Sequence, residues 1–265
     1  MGALYIFNPT TSPLALEVNG ERAGSIRPCS PVGYKPFATW VSRTRAPEPG
    51  KPSFGENTLK LTFEADPRTT FAFPFTLPRG YSLEEDVVAF AVRDWLILTT
   101  PSGAPLPPNP LPIPASSSSN KSTQHSQRGE TMTEAQAALG NVYVFNYWSE
   151  EIEKLTVAGE VVNKSPVEGW SKGSKEEGTK YTPRGITVPR AKPKEEIPGK
   201  FGLGEQSIRI EWPSITRKVT VTIPGPEESG VNLTEDMILL ISPHVAILLA
   251  PNGHLLNEPT SVQSA

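Results

Sequence analysis

Eight polar residues that occupy matching places in two halves of the chain could bind a ligand. They are Tyr34, Arg43, Glu85 and Asp86 in the first half, and Tyr181, Arg190, Glu235 and Asp236 in the second. An arginine displayed beside an aromatic ring can bind a sugar, a carboxylate or a protein surface. These eight residues are the ligand-binding residues that the sequence predicts.

Two adjacent carboxylates precede an apolar run in each half, as Glu85-Asp86 and Glu235-Asp236. Such a pair can bind Ca²⁺ if further oxygen ligands converge on it. The neighbouring residues lack the dense Asp, Asn and Gly spacing of a dedicated calcium loop. We therefore expect a solvated turn or an ion pair with Arg43 and Arg190, and we predict no metal and no other cofactor.

Residue types suited to catalysis are sparse. The three histidines are His125, His244 and His254, and the single cysteine is Cys29. Cys29 has no counterpart in the second half, so a Cys-His nucleophile would belong to one half only. The chain has no Gly-Lys-Ser/Thr phosphate loop and no Gly-x-Ser-x-Gly nucleophile elbow. The sequence predicts that the protein is not an enzyme, with a hydrolase that uses the paired carboxylates as the catalytic alternative.

The elements that would position these residues occur twice. Gly55–Phe63 and Gly204–Trp212 each alternate large apolar with polar residues behind a Gly-Glu turn, which is typical of a strand with one buried face. Other matches, such as Leu4–Asn8 with Val142–Asn146, keep their order along the chain at an offset that increases as loops lengthen. This colinearity indicates an internal duplication.

Each half has about eight short apolar runs separated by turn signals. One of these signals is Asn19-Gly20, which is typical of a type I′ hairpin turn. Short strands at such spacing are typical of sandwiches and small barrels. The sequence predicts an all-β fold with two tandem, internally duplicated antiparallel β-sandwich (or small barrel) domains, at residues 1–104 and 141–258.

The segments outside the two domains differ in composition. Seven prolines and seven serines fall between residues 101 and 126, so residues 105–131 are predicted to be a flexible, disordered linker. Residues 105–114 could instead be a polyproline ligand for an SH3-like partner. Thr133 and Gly140 can cap a short helix over residues 132–140, and residues 259–265 are predicted to be a disordered tail.

The overall composition limits the partners. The net charge is −3 and neither half is strongly basic, so we expect no nucleic-acid partner. A single cysteine excludes an intrachain disulfide, and no run approaches the roughly 20 apolar residues of a transmembrane helix. With no signal-peptide pattern, the default expectation is a soluble, cytoplasmic protein whose partner is a protein or a carbohydrate.

These observations favour a non-catalytic, bivalent binding or scaffold protein made of two modules on a flexible tether. A lectin-like carbohydrate-binding protein is one alternative, in which exposed tryptophans, among Trp40, Trp148 and Trp170, would stack on sugars. A membrane-active or self-assembling, toxin-like β protein is another alternative.

Overall fold

The structure is a computed structural model of the chain. The residues that it describes are 1–8, 10, 12–28, 37–92, 95–101, 106, 111–112, 139–169, 171–172, 181–182, 184–193, 195–226, 232–251, 255–256 and 260–264.

The described residues before position 113, here called the first module, form two β-sheets. The strands are β1 (Ala3–Asn8), β2 (Leu14–Val18), β3 (Glu21–Ile26), β4 (Phe37–Ser42), β5 (Gly55–Phe63), β6 (Asp66–Leu77), β7 (Val87–Val92), β8 (Trp95–Thr99) and β9 (Leu111–Pro112). One sheet, here called the inner sheet, has the order β4-β1-β7-β8-β9. The other, the outer sheet, has the order β3-β2-β5-β6.

The described residues from position 139 onwards, here called the second module, repeat this arrangement. The strands are β10 (Asn141–Asn146), β11 (Lys154–Val157), β12 (Glu160–Val161), β13 (Ser171–Lys172), β14 (Tyr181–Thr182), β15 (Arg184–Pro189), β16 (Gly204–Glu211), β17 (Thr216–Ile223), β18 (Met237–Ile241), β19 (Val245–Leu249), β20 (Thr260–Ser261) and β21 (Gln263–Ser264). Its inner sheet has the order β15-β10-β18-β19-β20, and its outer sheet β12-β11-β16-β17-β21. Strands β13 and β14 pair as a separate hairpin.

The two modules agree in strand order and in register. Leu4 lies opposite Val41 and Val87 in the first module, and Val142 lies opposite Val188 and Met237 in the second. Both inner sheets are mixed, because β1 pairs with β7, and β10 with β18, in parallel while the other strand pairs are antiparallel. The predicted all-β fold with two similar, tandem sandwich domains is confirmed.

Alternation along the outer-sheet strands explains how each sandwich closes. In β5, Leu59 and Leu61 are buried between the sheets, whereas Glu56 and Thr58 face solvent. In β16, Ile208 and Ile210 take the buried places. Since side chains alternate across a strand, one face of each outer sheet covers the core and the other stays wet.

The central strands of the inner sheets, such as β1 and β18, are buried on both faces. Every residue of β1 is buried, with Leu4 and Ile6 in the sandwich core and Tyr5 and Phe7 on the opposite face. That opposite face packs against the inner sheet of the second module in a single apolar cluster. The chain therefore forms four stacked layers: outer, inner, inner, outer.

The packing of the two inner sheets corrects one expectation, that of two modules held apart on a tether. The ring of Tyr147 meets the rings of Phe90 and Phe7 edge-on, with centroids 4.2 and 6.1 Å away. Continuous apolar runs such as Val87–Phe90 and Met237–Ile241 leave each inner sheet with a second apolar face. Water contact with such a face is unfavourable, so the two modules cover each other.

The predicted end of the first domain at residue 104 is too early. Leu106 is buried in the core of the first module and donates its backbone N–H to the Leu98 carbonyl oxygen. Leu111 and Pro112 then add β9 to the edge of β8. Proline is tolerated there because an edge strand needs only one row of hydrogen bonds. Residues 106, 111 and 112 of the predicted linker therefore belong to the first module, and its other residues lie outside the described ones.

The prediction of a disordered tail is wrong. Thr260–Ser261 pairs with β19, and Gln263–Ser264 pairs with β17 at Arg217 and Lys218. Val262, between the two short strands, packs against the core of the second module. Residues 260–264 are ordered by pairing with open sheet edges and by the apolar contact of Val262, although their composition suggested disorder. The helix predicted over 132–140 lies outside the described residues, except that Leu139 and Gly140 lead directly into β10.

Among the residues that the structure describes, no helix has the length and apolar character needed to cross a bilayer.

Candidate functional site

The predicted arginines lie at the end of the first edge strand of each inner sheet, where they are buried. Arg43 is 1% exposed and Arg190 is 3% exposed. Arg43 Nη1 donates hydrogen bonds to the backbone oxygens of Ser82 at 2.9 Å and Glu85 at 2.6 Å. Arg190 Nη1 donates to the backbone oxygen of Glu235 at 3.1 Å, among other carbonyls of the same loop. Each arginine thus fastens the loop that precedes β7 or β18.

The predicted carboxylates divide into two kinds. Asp86 Oδ1 accepts the backbone N–H of Ala3 at 2.8 Å, and Asp236 Oδ1 accepts that of Asn141 at 2.7 Å. The side chains of Glu85 and Glu235 are exposed. The aspartates therefore anchor the first residue of β1 and β10, while the glutamates offer only their backbone oxygens to the arginines.

Gly2 and Gly140 permit this close arrangement. A Cβ atom at Gly2 would overlap the backbone oxygen of Glu85, and one at Gly140 would overlap that of Glu235. Each glycine also donates its N–H to the same loop, to Leu83 in the first module and to Leu233 in the second. Only glycine lets the backbone approach the loop this closely.

The Arg43 side chain is also enclosed by two aromatic rings. Its guanidinium carbon lies 5.3 Å from the ring centre of Tyr81 and 5.7 Å from that of Phe54. Burial lowers the pKa of Arg43, and Tyr81, Asp86 and Glu85 partly oppose this shift. Burial likewise lowers the pKa of Arg190, against the charge of Asp236. Since the pKa of arginine starts far above neutrality, both guanidinium groups keep their charge, which carbonyl oxygens stabilise in both modules and two rings stabilise in the first.

The sequence interpretation expected a solvated turn or an ion pair between each arginine and its acidic pair, whereas the hydrogen bonds of both arginines described above run to backbone oxygens of the loop. Tyr34 and the side chain of Tyr181 lie outside the described residues. The burial of both arginines favours a structural role, in which each joins the end of its edge strand to the loop before β7 or β18. Ligand binding by the eight residues stays a prediction.

A cleft in the second module is the candidate binding site that the sequence interpretation missed. It has a volume of about 650 Å³ and opens between the start of β16 and the loop over residues 195–203. Its lining is Ala158, Glu195, Glu196, Ile197, Pro198, Lys200, Gly202, Leu203, Glu205, Gln206 and Ser207. Glu205 and Ser207 reach it from the exposed face of β16. A concave site with a few polar groups is the usual form of a ligand-binding site.

In the first module, the side chain of Asn19 lies at the position equivalent to this cleft. Its Nδ2 donates to the Lys51 backbone oxygen at 2.8 Å and to Asn57 Oδ1 at 3.1 Å, and its Oδ1 accepts the N–H of Thr58 at 2.8 Å. The second-module equivalents of these three partners, Lys200, Gln206 and Ser207, all line the cleft.

The second module has Ala158 in place of Asn19. Both residues precede a glycine in a type I′ turn and have positive φ, 48° for Asn19 and 46° for Ala158. A methyl group can make none of the three hydrogen bonds of Asn19. The second module therefore lacks the three hydrogen bonds by which Asn19 bridges this place in the first module.

A longer loop extends the cleft. Gly50 and Gly199 are equivalent, because each has a positive φ and donates its N–H to the end of the neighbouring strand, at Val18 or Val157. Between Arg190 and Gly199 the second module has two more residues than the first has between Arg43 and Gly50. Glu195 and Glu196 lie in this longer loop. The change in offset between the repeats marked the insertion but not its consequence.

The three tryptophans proposed as sugar platforms differ in exposure. Trp40, on β4, is 50% exposed, beside Tyr5 of β1. Trp148 packs edge-on against Trp212 with ring centres 5.3 Å apart, at the core of the second module. Trp170 lies outside the described residues. Of the two that the structure describes, Trp40 is the one with a ring exposed to a ligand.

The described residues contain no cluster of three or more His, Cys, Asp or Glu side chains arranged to hold a metal ion. In comparisons with known proteins, no protein-family model matches the chain. No curated protein matches it either. The differences between the two modules are therefore the observations that bear on function.

Proposed function

We propose that this chain is a non-catalytic binding or scaffold protein, bivalent through two unlike surfaces. One surface is the cleft of the second module, and the other lies around Trp40 on the first. The observation that carries the proposal is a difference between the modules: Asn19 makes three hydrogen bonds across this place in the first, whereas Ala158 lines a cleft of about 650 Å³ in the second. Duplication supplies two similar modules, and divergence at a few loop residues gives one of them a site.

The shared polar residues support a non-catalytic function. Arg43, Asp86 and their second-module equivalents form hydrogen bonds to backbone groups inside the fold. Side chains that form such hydrogen bonds are held in place, and removing one partner of a buried charged hydrogen bond is costly. The proposed activity is therefore recognition, at residues that differ between the modules.

The lining of the cleft favours a ligand with both cationic and apolar groups. Glu195, Glu196 and Glu205 contribute three carboxylates, against one ammonium group from Lys200. Ile197, Pro198 and Leu203 offer apolar surface to an aliphatic stem. Since these charges are exposed, we expect salt to weaken the interaction.

A random peptide library displayed on phage tests the proposal. Wild-type protein should enrich a peptide family that a Ser207→Trp variant, whose indole occupies the cleft, no longer binds. Thr58→Trp is the matched control, because Thr58 holds the equivalent exposed position on β5. Equal enrichment by wild type and Ser207→Trp, or loss of binding in Thr58→Trp alone, would reject the cleft as the site.

Carbohydrate binding is the second candidate function, favoured by the exposed ring of Trp40. Pyranose rings stack on tryptophan faces, and a bound sugar should shift the tryptophan fluorescence. On a glycan array, wild type should bind at least one glycan that Trp40→Ala does not. Thr187, which lies opposite Tyr143 as Trp40 lies opposite Tyr5, provides the control variant Thr187→Ala. An empty array with wild type would remove this candidate.

A further inference from the structure

The contact between the modules uses the same face of each one. The equivalent positions are Tyr5 and Tyr143, Phe7 and Phe145, Val88 and Ile238, Phe90 and Leu240, and Ile97 and Ile247. Four pairs contribute two buried residues to the contact, and in the remaining pair Tyr143 is partly buried. Two equivalent faces that pack on each other form a contact of the kind seen in symmetric dimers.

This face is separate from the core of each sandwich. Val88 and Phe90 point toward the other module, whereas Val87 and Ala89, their neighbours in β7, point into the core of the first module. The ring of Phe90 stacks on Phe7 at 5.4 Å between centroids. Each module therefore has a complete core of its own and a second apolar face that needs a cover.

The cover need not come from the same chain. Residues 113–138 join the modules, and the sequence predicts that those up to residue 131 are a flexible linker, for which a length of 19 residues gives an end-to-end distance of about 22–26 Å. The side chains in the contact are the same whether the second module belongs to the same chain or to another copy. The linker sets the local concentration of one module around the other. This concentration decides whether the contact forms within one chain or between two copies.

We propose that two copies of this chain exchange modules, so that the first module of each copy packs on the second module of the other. The product is a closed dimer with two inner-sheet contacts, each identical to the contact within one chain. Such an exchange gives a dimer at little energetic cost, because no new contact is needed.

The balance between monomer and exchanged dimer depends on concentration during folding. A flexible linker of this length gives an effective concentration on the order of 1 mM. At about 1 µM protein the monomer should therefore exceed the dimer by roughly a thousandfold, and near 1 mM the two should be comparable. Once formed, each species is held by a buried apolar contact, so exchange between folded molecules should be slow.

The experiment uses two forms of the full chain, one with an affinity tag, both with a protease site introduced within residues 116–126. The two forms are unfolded in denaturant, mixed, and refolded at about 1 mM or about 1 µM. Light scattering then gives the mass, and the tag shows whether untagged chains are retained. We expect a substantial dimer fraction with retained untagged chain after refolding at 1 mM, and monomer alone at 1 µM.

Cleavage at the introduced site distinguishes exchange from any other association. An exchanged dimer should fall to half its mass, because each first module stays with only one second module once the linkers are cut. A dimer that keeps its full mass after cleavage is joined by another surface and overturns the proposal. Monomer alone at 1 mM, or equal retention of untagged chain after mixing folded proteins, overturns it as well.

Discussion

Arg43 and Arg190 show how a charged residue can belong to the interior of a β-sandwich. Removing a guanidinium from water is unfavourable unless its hydrogen bonds are replaced. Arg43 finds carbonyl oxygens for Nη1 and ring faces for the rest of the group. The charge thereby joins the end of β4 to the loop that leads into β7, and this link is made in both modules.

Replacing Arg43 by lysine should destabilise the protein although the charge is retained. A lysine side chain ends in a compact ammonium group, which lacks the flat guanidinium face that lies near the rings of Phe54 and Tyr81. We expect the free energy of unfolding to fall by about 2 kcal/mol in urea titrations. Arg45→Lys is the control, because Arg45 is exposed and should lose less than about 0.5 kcal/mol. Equal losses in the two variants would refute the structural role.

Ala158 is the residue at which the second module keeps its cleft open. An alanine at φ 46° is strained, and asparagine tolerates that conformation better. Ala158→Asn should therefore raise the free energy of unfolding by about 1 kcal/mol, in part by reaching the Lys200 carbonyl oxygen as Asn19 reaches that of Lys51.

The reverse change, Asn19→Ala, should lower the free energy of unfolding by about 2 kcal/mol, because it introduces the strain and removes three hydrogen bonds. Thermal unfolding of both variants measures the two changes. If Ala158→Asn stabilises the protein without reducing peptide binding, the cleft is not the site.

At the scale of strands, the sequence predicted the strands in which apolar and polar residues alternate. It missed the short strands that form only by pairing with the edge of another strand. Alternation located β5 at its observed bounds, since a half-buried strand leaves that pattern. The two-residue strands β9, β20 and β21 consist of residues with no such pattern. They form because β8, β19 and β17 present open edges, which a local sequence pattern does not reveal.

The candidate site residues also differ in whether the sequence could predict them. The matched positions of Arg43 with Glu85 and of Arg190 with Glu235 suggested a solvated turn or an ion pair, whereas each arginine donates to the backbone oxygen of its glutamate. The cleft arises from a difference between the modules, one substitution at Ala158 and a loop longer by two residues. A search for residues that are identical in the two halves of the sequence does not find such a site.

Strand β21 covers the edge of β17 and depends on one apolar contact. Val262 packs against the core, while Gln263 next to it is exposed. Val262→Asp should lower the free energy of unfolding by at least 1 kcal/mol and speed hydrogen exchange in β17 near Lys218. Gln263→Asp should do neither. Unchanged exchange in the Val262→Asp protein would show that β21 is held by other contacts.

At the scale of the whole molecule, the packed inner sheets change the meaning of bivalency. Two modules on a free tether would search for a second contact through a wide range of orientations. Modules joined through Phe7, Phe90 and Tyr147 present the cleft and Trp40 at a fixed separation instead. The function proposed above therefore calls for partners whose own binding surfaces match that geometry.

Continuous apolar runs in β7 and β18 carried the signal for this packing. A strand with one wet face alternates, whereas Val87–Phe90 and Met237–Ile241 are apolar at every position. Composition alone could not say whether the second face meets another module, another copy or a ligand. The structure assigns it to the other module of the same chain.

Cutting the linker of the native, monomeric protein at a site introduced within residues 116–126 tests this arrangement most directly. If the inner sheets pack as described, the two fragments stay together at low micromolar concentration and elute as one complex with a mass near 28.7 kDa by light scattering. Separation of the cut protein into two smaller folded species at that concentration would contradict the face-to-face packing of the modules.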